Sequence, residues 1–230
     1  LYESDSQANG LNEPWGIAVA GTEYVYVADT WNHRVLKYDT EGNLILSWGK
    51  FGDESDPYSM WGPREILVDI DGLIYVSDTG NKRISIFSDD GKSIRQIGLG
   101  GSLNGEFEEP VGMAVDNEGR LYVADTWNAR IQVFGNDGEY LYKWDVPEWE
   151  GQSLDNKPYL SIDSVRNLLY ATAPEGYRIL SWNLIGEPIL SWGDFGNELS
   201  SFDLPTGIDV DIHGGVYVAD SDNNRVLYFK

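Results

Sequence analysis

Few side chains in this sequence are suited to bond-making chemistry, and their spacing keeps them apart. There is no cysteine, which removes thiolate nucleophiles, disulfides and Cys-ligated zinc together. The two histidines stand in unlike turns, His33 in a Trp-Asn-His-Arg segment and His213 in Asp-Ile-His-Gly, so they do not converge on one metal or one proton transfer. No Gly-x-Ser-x-Gly elbow occurs, and the Gly-rich stretch at 98–105 has no following helix to cradle a phosphate. What recurs is Asp-x-x-Asn-x-Arg: Asp29, Asn32 and Arg34; Asp78, Asn81 and Arg83; Asp125, Asn128 and Arg130; Asp220, Asn223 and Arg225. Carboxylate, amide and guanidinium at that spacing can satisfy one another's hydrogen bonds across a turn. Active sites are singular whereas braces repeat, so these twelve residues read as structure.

The elements that position them follow from the period. Prolines 14, 63, 110, 158 and 205 each open a unit of about 48 residues. Twelve residues after each comes a tyrosine, and twenty after each an arginine; the fourth unit keeps Arg178 but replaces the Asp and Asn by Ala173 and Gly176. Within a unit the apolar residues are β-branched or aromatic, in short runs broken by Asp-Gly or Glu-Gly turns such as Asp71-Gly72 and Glu118-Gly119. No helical period is present. Four short antiparallel strands per unit, repeated five times, predict an all-β propeller with one sheet per blade. The repeats make residues 1–230 a single domain. The last unit stops after its third strand, so the fifth blade lacks its outer strand; a six-bladed ring in a longer chain is the alternative.

Stepping along this frame places the exceptions. Where the inner strands begin at the channel mouth, the pairs after the proline are Trp15-Gly16, Arg64-Glu65, Val111-Gly112, Tyr159-Leu160 and Thr206-Gly207. Glu65 breaks a pattern of small residues, as a ligand contact would, and Trp15, Arg64 and Tyr159 flank it. The blade-joining loops, near 49–62, 98–109, 145–157 and 193–204, are longer than connectivity needs. They are acidic, with Asp53, Glu54, Asp56, Glu106, Glu108, Glu109, Glu148, Glu150, Asp155, Asp194, Glu198 and Asp203. Trp31, Trp127 and Asp222 stand at equivalent turn positions on the same face, where the tryptophans could grip a sugar ring or a partner's side chain. The segments Asp53–Asp56 and Asp220–Asn223 are oxygen-rich enough to allow calcium, although neither has the spacing of a dedicated calcium loop. No cofactor is otherwise called for.

Sixteen basic against 38 acidic residues leave a net charge of −22. A surface so negative repels phosphate backbones and anionic lipid, which excludes nucleic acid and membrane surfaces as default partners. No apolar run is long enough to span a bilayer.

At VYVADTWNHRV, IYVSDTGNKRI, LYVADTWNARI and VYVADSDNNRV the chain resembles the NHL-repeat family, over about residues 10–230. The resemblance implies a propeller, most often six-bladed, in a family that ranges from RNA-binding and scaffold modules to bacterial receptor ectodomains, with lyases as relatives. The histidine constellation of the zinc lyases has no counterpart here. A calcium-dependent lactonase of the gluconolactonase-like type needs carboxylates pointing into the channel, and Asp209 is the best such residue. The expectation from sequence is therefore a non-enzymatic binding or scaffold module of the bacterial cell surface or exterior, presenting an acidic, aromatic face to a protein, glycan or cation. Its alternatives are a self-assembling subunit whose incomplete blade is filled by a neighbouring chain, making a homo-oligomer by strand addition, and a calcium-dependent lactonase or lyase.

Overall fold

The computed structural model describes residues 10–151, 153 and 156–230. Five antiparallel sheets follow one another along the chain, each built from consecutive strands, at residues 14–48, 66–97, 110–145, 160–192 and 205–229. The first four sheets have four strands and the fifth has three. A two-stranded parallel pair, Lys50–Phe51 with Ser59–Met60, lies in the loop between blades 1 and 2.

Strand alternation sends one set of side chains toward the preceding blade and the other toward the following one. The result is four apolar cores, each between successive blades: around Tyr26, Val35 and Trp48 with Ile66 and Phe87; around Tyr75 and Ile97 with Met113 and Phe134; around Tyr122 and Ile131 with Leu160 and Trp182; and around Tyr170 and Ile179 with Val218 and Leu227. Each blade-joining loop adds one buried plug to its core, Met60, Phe107, Trp149 or Phe202. Much of the length of these loops is thus spent on packing.

Small residues let the inner strands approach. A Cβ on Gly16 would fall 2.7 Å from the Arg64 carbonyl, and one on Gly112 would fall 2.7 Å from the Pro158 carbonyl. Hydroxyls latch one blade to the next: Thr30 Oγ1 donates to the Pro63 carbonyl at 2.8 Å, Thr79 Oγ1 to the Pro110 carbonyl at 2.8 Å, and Thr172 Oγ1 to the Thr206 carbonyl at 2.9 Å. At the far end these devices have no mate. A Cβ on Gly207 would meet only Ala219 of its own blade, and Ser221 turns to Thr206 Oγ1 of the same blade. Ile17 and Val19 on blade 1, and Val226 and Tyr228 on blade 5, are exposed. Among the described residues no apolar core joins blade 5 to blade 1, so the ring is open there.

The turns between second and third strands stand where the repeat places them. Thr30–Asn32, Thr79–Asn81, Thr126–Asn128 and Pro174–Gly176 are single 3-10 turns. They close on His33, Lys82, Ala129 and Tyr177 in the left-handed region. A three-residue turn is too short to show a period in sequence.

Candidate functional site

The five inner strands surround a central channel of about 900 Å³. Most of its lining is aliphatic, including Ile17, Ile66, Leu67, Met113 and Ile208. Its polar side chains include Glu65, Asp69, Asp116, Asn117, Tyr159, Ser161 and Asp209, of which the sequence singled out Glu65, Tyr159 and Asp209. Glu65 stands in the wall because its strand is pinned twice to the next: its N–H donates to Ser77 Oγ at 2.7 Å, and Ser77 N–H donates to the Glu65 carbonyl at 3.0 Å. Its carboxyl crosses to blade 3, where Met113 N–H donates to Oε2. Burial pushes the Glu65 carboxyl well above the ordinary range, and the like charge of Asp209 adds to this; the Met113 N–H opposes it without reversing it.

Tyr159 and Asp209 line the same channel. Burial also pushes the Tyr159 hydroxyl up, with the Glu65 charge adding and Arg64 opposing. Asp209 is exposed to the cavity and accepts a 3.3 Å hydrogen bond from Ser161 Oγ. Trp15 lies at the rim with the Arg64 guanidinium 4.0 Å from its ring centroid, a cation–π stack that bridges blades 1 and 2. Trp15, Arg64, Glu65 and Tyr159 are therefore gathered at one mouth. Ser161 was not foreseen, because nothing in an isolated strand reveals that its hydroxyl faces Asp209 of the next blade.

Trp31, Trp127 and Asp222 are not brought together; each sits on the turn of its own blade. Trp31 Nε1 donates to Glu13 Oε2 at 3.0 Å, Lys157 Nζ lies 5.0 Å from the Trp127 ring centroid, and Asp222 N–H donates to the Asp203 carbonyl. Gly80 takes the equivalent place in blade 2, and Trp61 from the preceding loop packs over it. Asp155 lies outside the described residues.

The repeated Asp, Asn and Arg residues form closed networks. Asp125 accepts from Asn128 at 2.9 Å and from Arg130 at 2.7 Å, and the Arg130 guanidinium goes on to bind the carbonyls of Ser102, Leu103 and Glu106 at 2.8 Å each. Asp78 with Asn81 and Arg83, and Asp220 with Asn223 and Arg225, repeat this arrangement. In blade 1, Asn32 and Arg34 bind Asp29 in the same way. Arg178, which lacks the Asp, reaches the exposed Asp194 at 3.4 Å.

Neither histidine lines the channel. His33 Nδ1 accepts the Gly62 N–H at 3.1 Å, and burial lowers its pKa. Among the described residues no three His, Asp or Glu side chains group as a metal would require.

The model of the NHL repeat matches residues 11–38, 107–134 and 202–229, three of the five blades laid out above. The chain carries NHL repeats on a five-bladed β-propeller. The propeller is similar in fold to virginiamycin B lyase from Staphylococcus aureus, at 14% identity and a TM-score of 0.68, covering 97% of this chain and 71% of that one. It is similar to a chain of a nidogen/laminin complex at 19% identity and a TM-score of 0.70, covering 96% and 76%. In sequence it is 32% identical over 78 residues to a probable peptidyl-alpha-hydroxyglycine alpha-amidating lyase of Caenorhabditis elegans, covering 33% of this chain and 22% of that relative. The match thus spans under a quarter of the relative's length.

These likenesses overturn the expectation of a non-enzymatic binding or scaffold module, since lyases recur among the propellers that match. No helix among the described residues is long and apolar enough to cross a membrane.

Proposed function

We propose that this propeller is a lyase-type enzyme whose reaction takes place at the channel mouth. Glu65 carries the reading: one carboxyl breaks the small-residue ring at the channel, and burial raises its pKa well above the ordinary range. A second carboxylate, Asp209, lies open in the same cavity. Two carboxyl groups in unlike surroundings divide the roles of acid and base. In an elimination, Asp209 takes a proton from carbon, the electron pair of that C–H bond becomes the new double bond, and the adjacent C–O bond breaks. Glu65 gives its proton to the departing oxygen, and Tyr159 offers a further hydroxyl at the mouth. The aliphatic wall suits a substrate with a sizeable apolar part. Trp15 and Arg64 would steady a planar or anionic group at the rim. The exposed rings of Trp31 and Trp127 would contact a protein or glycan approaching the same molecule. The acidic surface, the lack of cysteine and the staphylococcal lyase of similar fold support a bacterial setting at the cell surface or beyond it.

The test is turnover of quinupristin, with which a catalytically inactive variant of virginiamycin B lyase has been solved. Mass spectrometry would follow the products. Cleavage by elimination that drops at least a hundredfold in Glu65→Gln supports the assignment. Equal turnover by wild type and variant removes Glu65 from the reaction.

A further inference from the structure

Blade 4 lacks the Asp and Asn of its brace, and a cavity lies where the brace works in other blades. In blades 2, 3 and 5 the brace arginine holds the preceding blade-joining loop by its carbonyls. Arg83 binds those of Glu54, Asp56 and Ser59, Arg130 those of Ser102, Leu103 and Glu106, and Arg225 those of Asn197, Glu198 and Ser201. Arg178 has no Asp to orient it and turns to Asp194, in the loop that follows blade 4. The loop before blade 4 is anchored differently: Val146 N–H donates to the Ala129 carbonyl at 2.7 Å, Pro147–Trp149 forms a 3-10 turn, and Trp149 Nε1 donates to the Thr172 carbonyl at 3.1 Å. The two earlier junctions carry a cover at the corresponding place. Tyr58 lies against Phe87 with ring centroids 6.5 Å apart, and Gln132 holds its loop through the Gly105 N–H at 2.9 Å and the Glu106 carbonyl at 2.7 Å. Leu180 stands where Gln132 does in the repeat and has no polar group with which to hold a loop. Between the outer parts of blades 3 and 4 there is a cavity of about 380 Å³.

We propose that this cavity is a binding site for a small organic ammonium ion with an apolar body. Its lining supplies both halves of that chemistry. Trp144 and Trp182, with ring centroids 6.1 Å apart, form an aromatic wall, and Leu180 and Ile189 add aliphatic surface. Asp145 and Glu148 bring two exposed carboxylates to the same cavity. Neither of them is in an ion pair among the described residues. The rings take the apolar body and their faces attract the cation; the unneutralised carboxylates complement its charge and reject anions. A lysine side chain of a partner protein has the same chemistry, but a cavity of this volume is of the size that encloses one small molecule. None of these residues lines the channel, so the site is separate from the one assigned to the reaction.

The probe is benzyltrimethylammonium, titrated into the whole chain at low salt and followed by NMR at the indole N–H signals, those of Trp144 and Trp182 being assigned by their loss in Trp144→Phe and Trp182→Phe. Saturable shifts of these two signals are expected. Asp145→Asn combined with Glu148→Gln weakens binding at least tenfold, and so does Ser191→Trp, which fills the cavity from an exposed position of its lining. Far-ultraviolet circular dichroism is expected to show both variants folded, since the changed side chains are exposed. Glu65→Gln with Asp209→Asn leaves the affinity as it is. A parallel titration with the peptide Gly-Lys-Phe-Lys-Gly distinguishes a free ammonium ion from a partner's lysine, and weaker binding of the peptide is expected. The proposal is overturned if neither indole shifts up to millimolar probe, if binding survives the change at Asp145 and Glu148, if it is lost with the channel carboxyls instead, or if the peptide alone binds.

Discussion

A carboxyl that leaves water is pushed toward its protonated form, and Glu65 illustrates how little is needed. Its neighbours along the chain are ordinary; the effect comes from the aliphatic channel wall and from Asp209 across it. The sign of the linkage follows. Folding raises the pKa of Glu65, so the native state holds its proton over a range where the unfolded chain has lost it. Its contribution to stability is complete below the ordinary glutamate pKa and disappears as pH rises through the raised value. Urea denaturation of wild type and Glu65→Gln across that range is expected to show a pH dependence in the first that the second lacks. His33 works in the opposite direction. Burial lowers its pKa, so stability is complete above the ordinary histidine value and falls as pH drops through the lowered one. An NMR titration of the His33 ring is expected to give a midpoint below about 6.5, and His33→Gln is expected to flatten the acid limb of the stability curve.

Among the elements, the turn between second and third strands is the unit that makes a blade and also fastens the loop above it. In blade 3 the Asp125 carboxylate is fully buried and the Arg130 side chain is 3% exposed. Removing the acid strands a buried guanidinium, so Asp125→Ala is expected to cost about 3–5 kcal/mol in urea denaturation. Blade 4 provides the control: Arg178→Ala, which loses only an exposed contact, is expected to leave the midpoint unchanged. The partners Asp, Asn and Arg were legible because they recur at fixed spacing. Their second task was not, since the carbonyls of Ser102, Leu103 and Glu106 bound by Arg130 carry no side-chain signature. The plugs Met60, Phe107, Trp149 and Phe202 were hidden for a related reason: a single apolar residue in a long polar loop has no periodicity to mark it.

At the scale of the fold, five blades share four apolar cores among the described residues. The same sequence position therefore has different energetic weight in different blades. Ile131→Ala, in the core between blades 3 and 4, is expected to cost about 2–5 kcal/mol, whereas Val226→Ala on the open flank is expected to change stability by less than about 0.5 kcal/mol. Urea midpoints of the two variants check the contrast. The five sheets and the three strands of the last one could be read from the period alone, because register along the chain is covalent. Convergence of Trp15, Arg64, Glu65 and Tyr159 could be anticipated only as far as their shared place in the repeat. The reach of Glu65 to Met113 and the pairing of Ser161 with Asp209 depend on blade-to-blade contacts that no single unit encodes.

The central claim is that burial at the channel raises the pKa of the Glu65 carboxyl. The direct measurement is a pH titration of the chain with 13C-labelled glutamate side-chain carboxyls, the Glu65 signal being assigned by its loss in Glu65→Gln. A midpoint displaced well above the ordinary value of about 4.3 is the predicted result. A Glu65 midpoint at that ordinary value would contradict the claim and leave the channel without its acid.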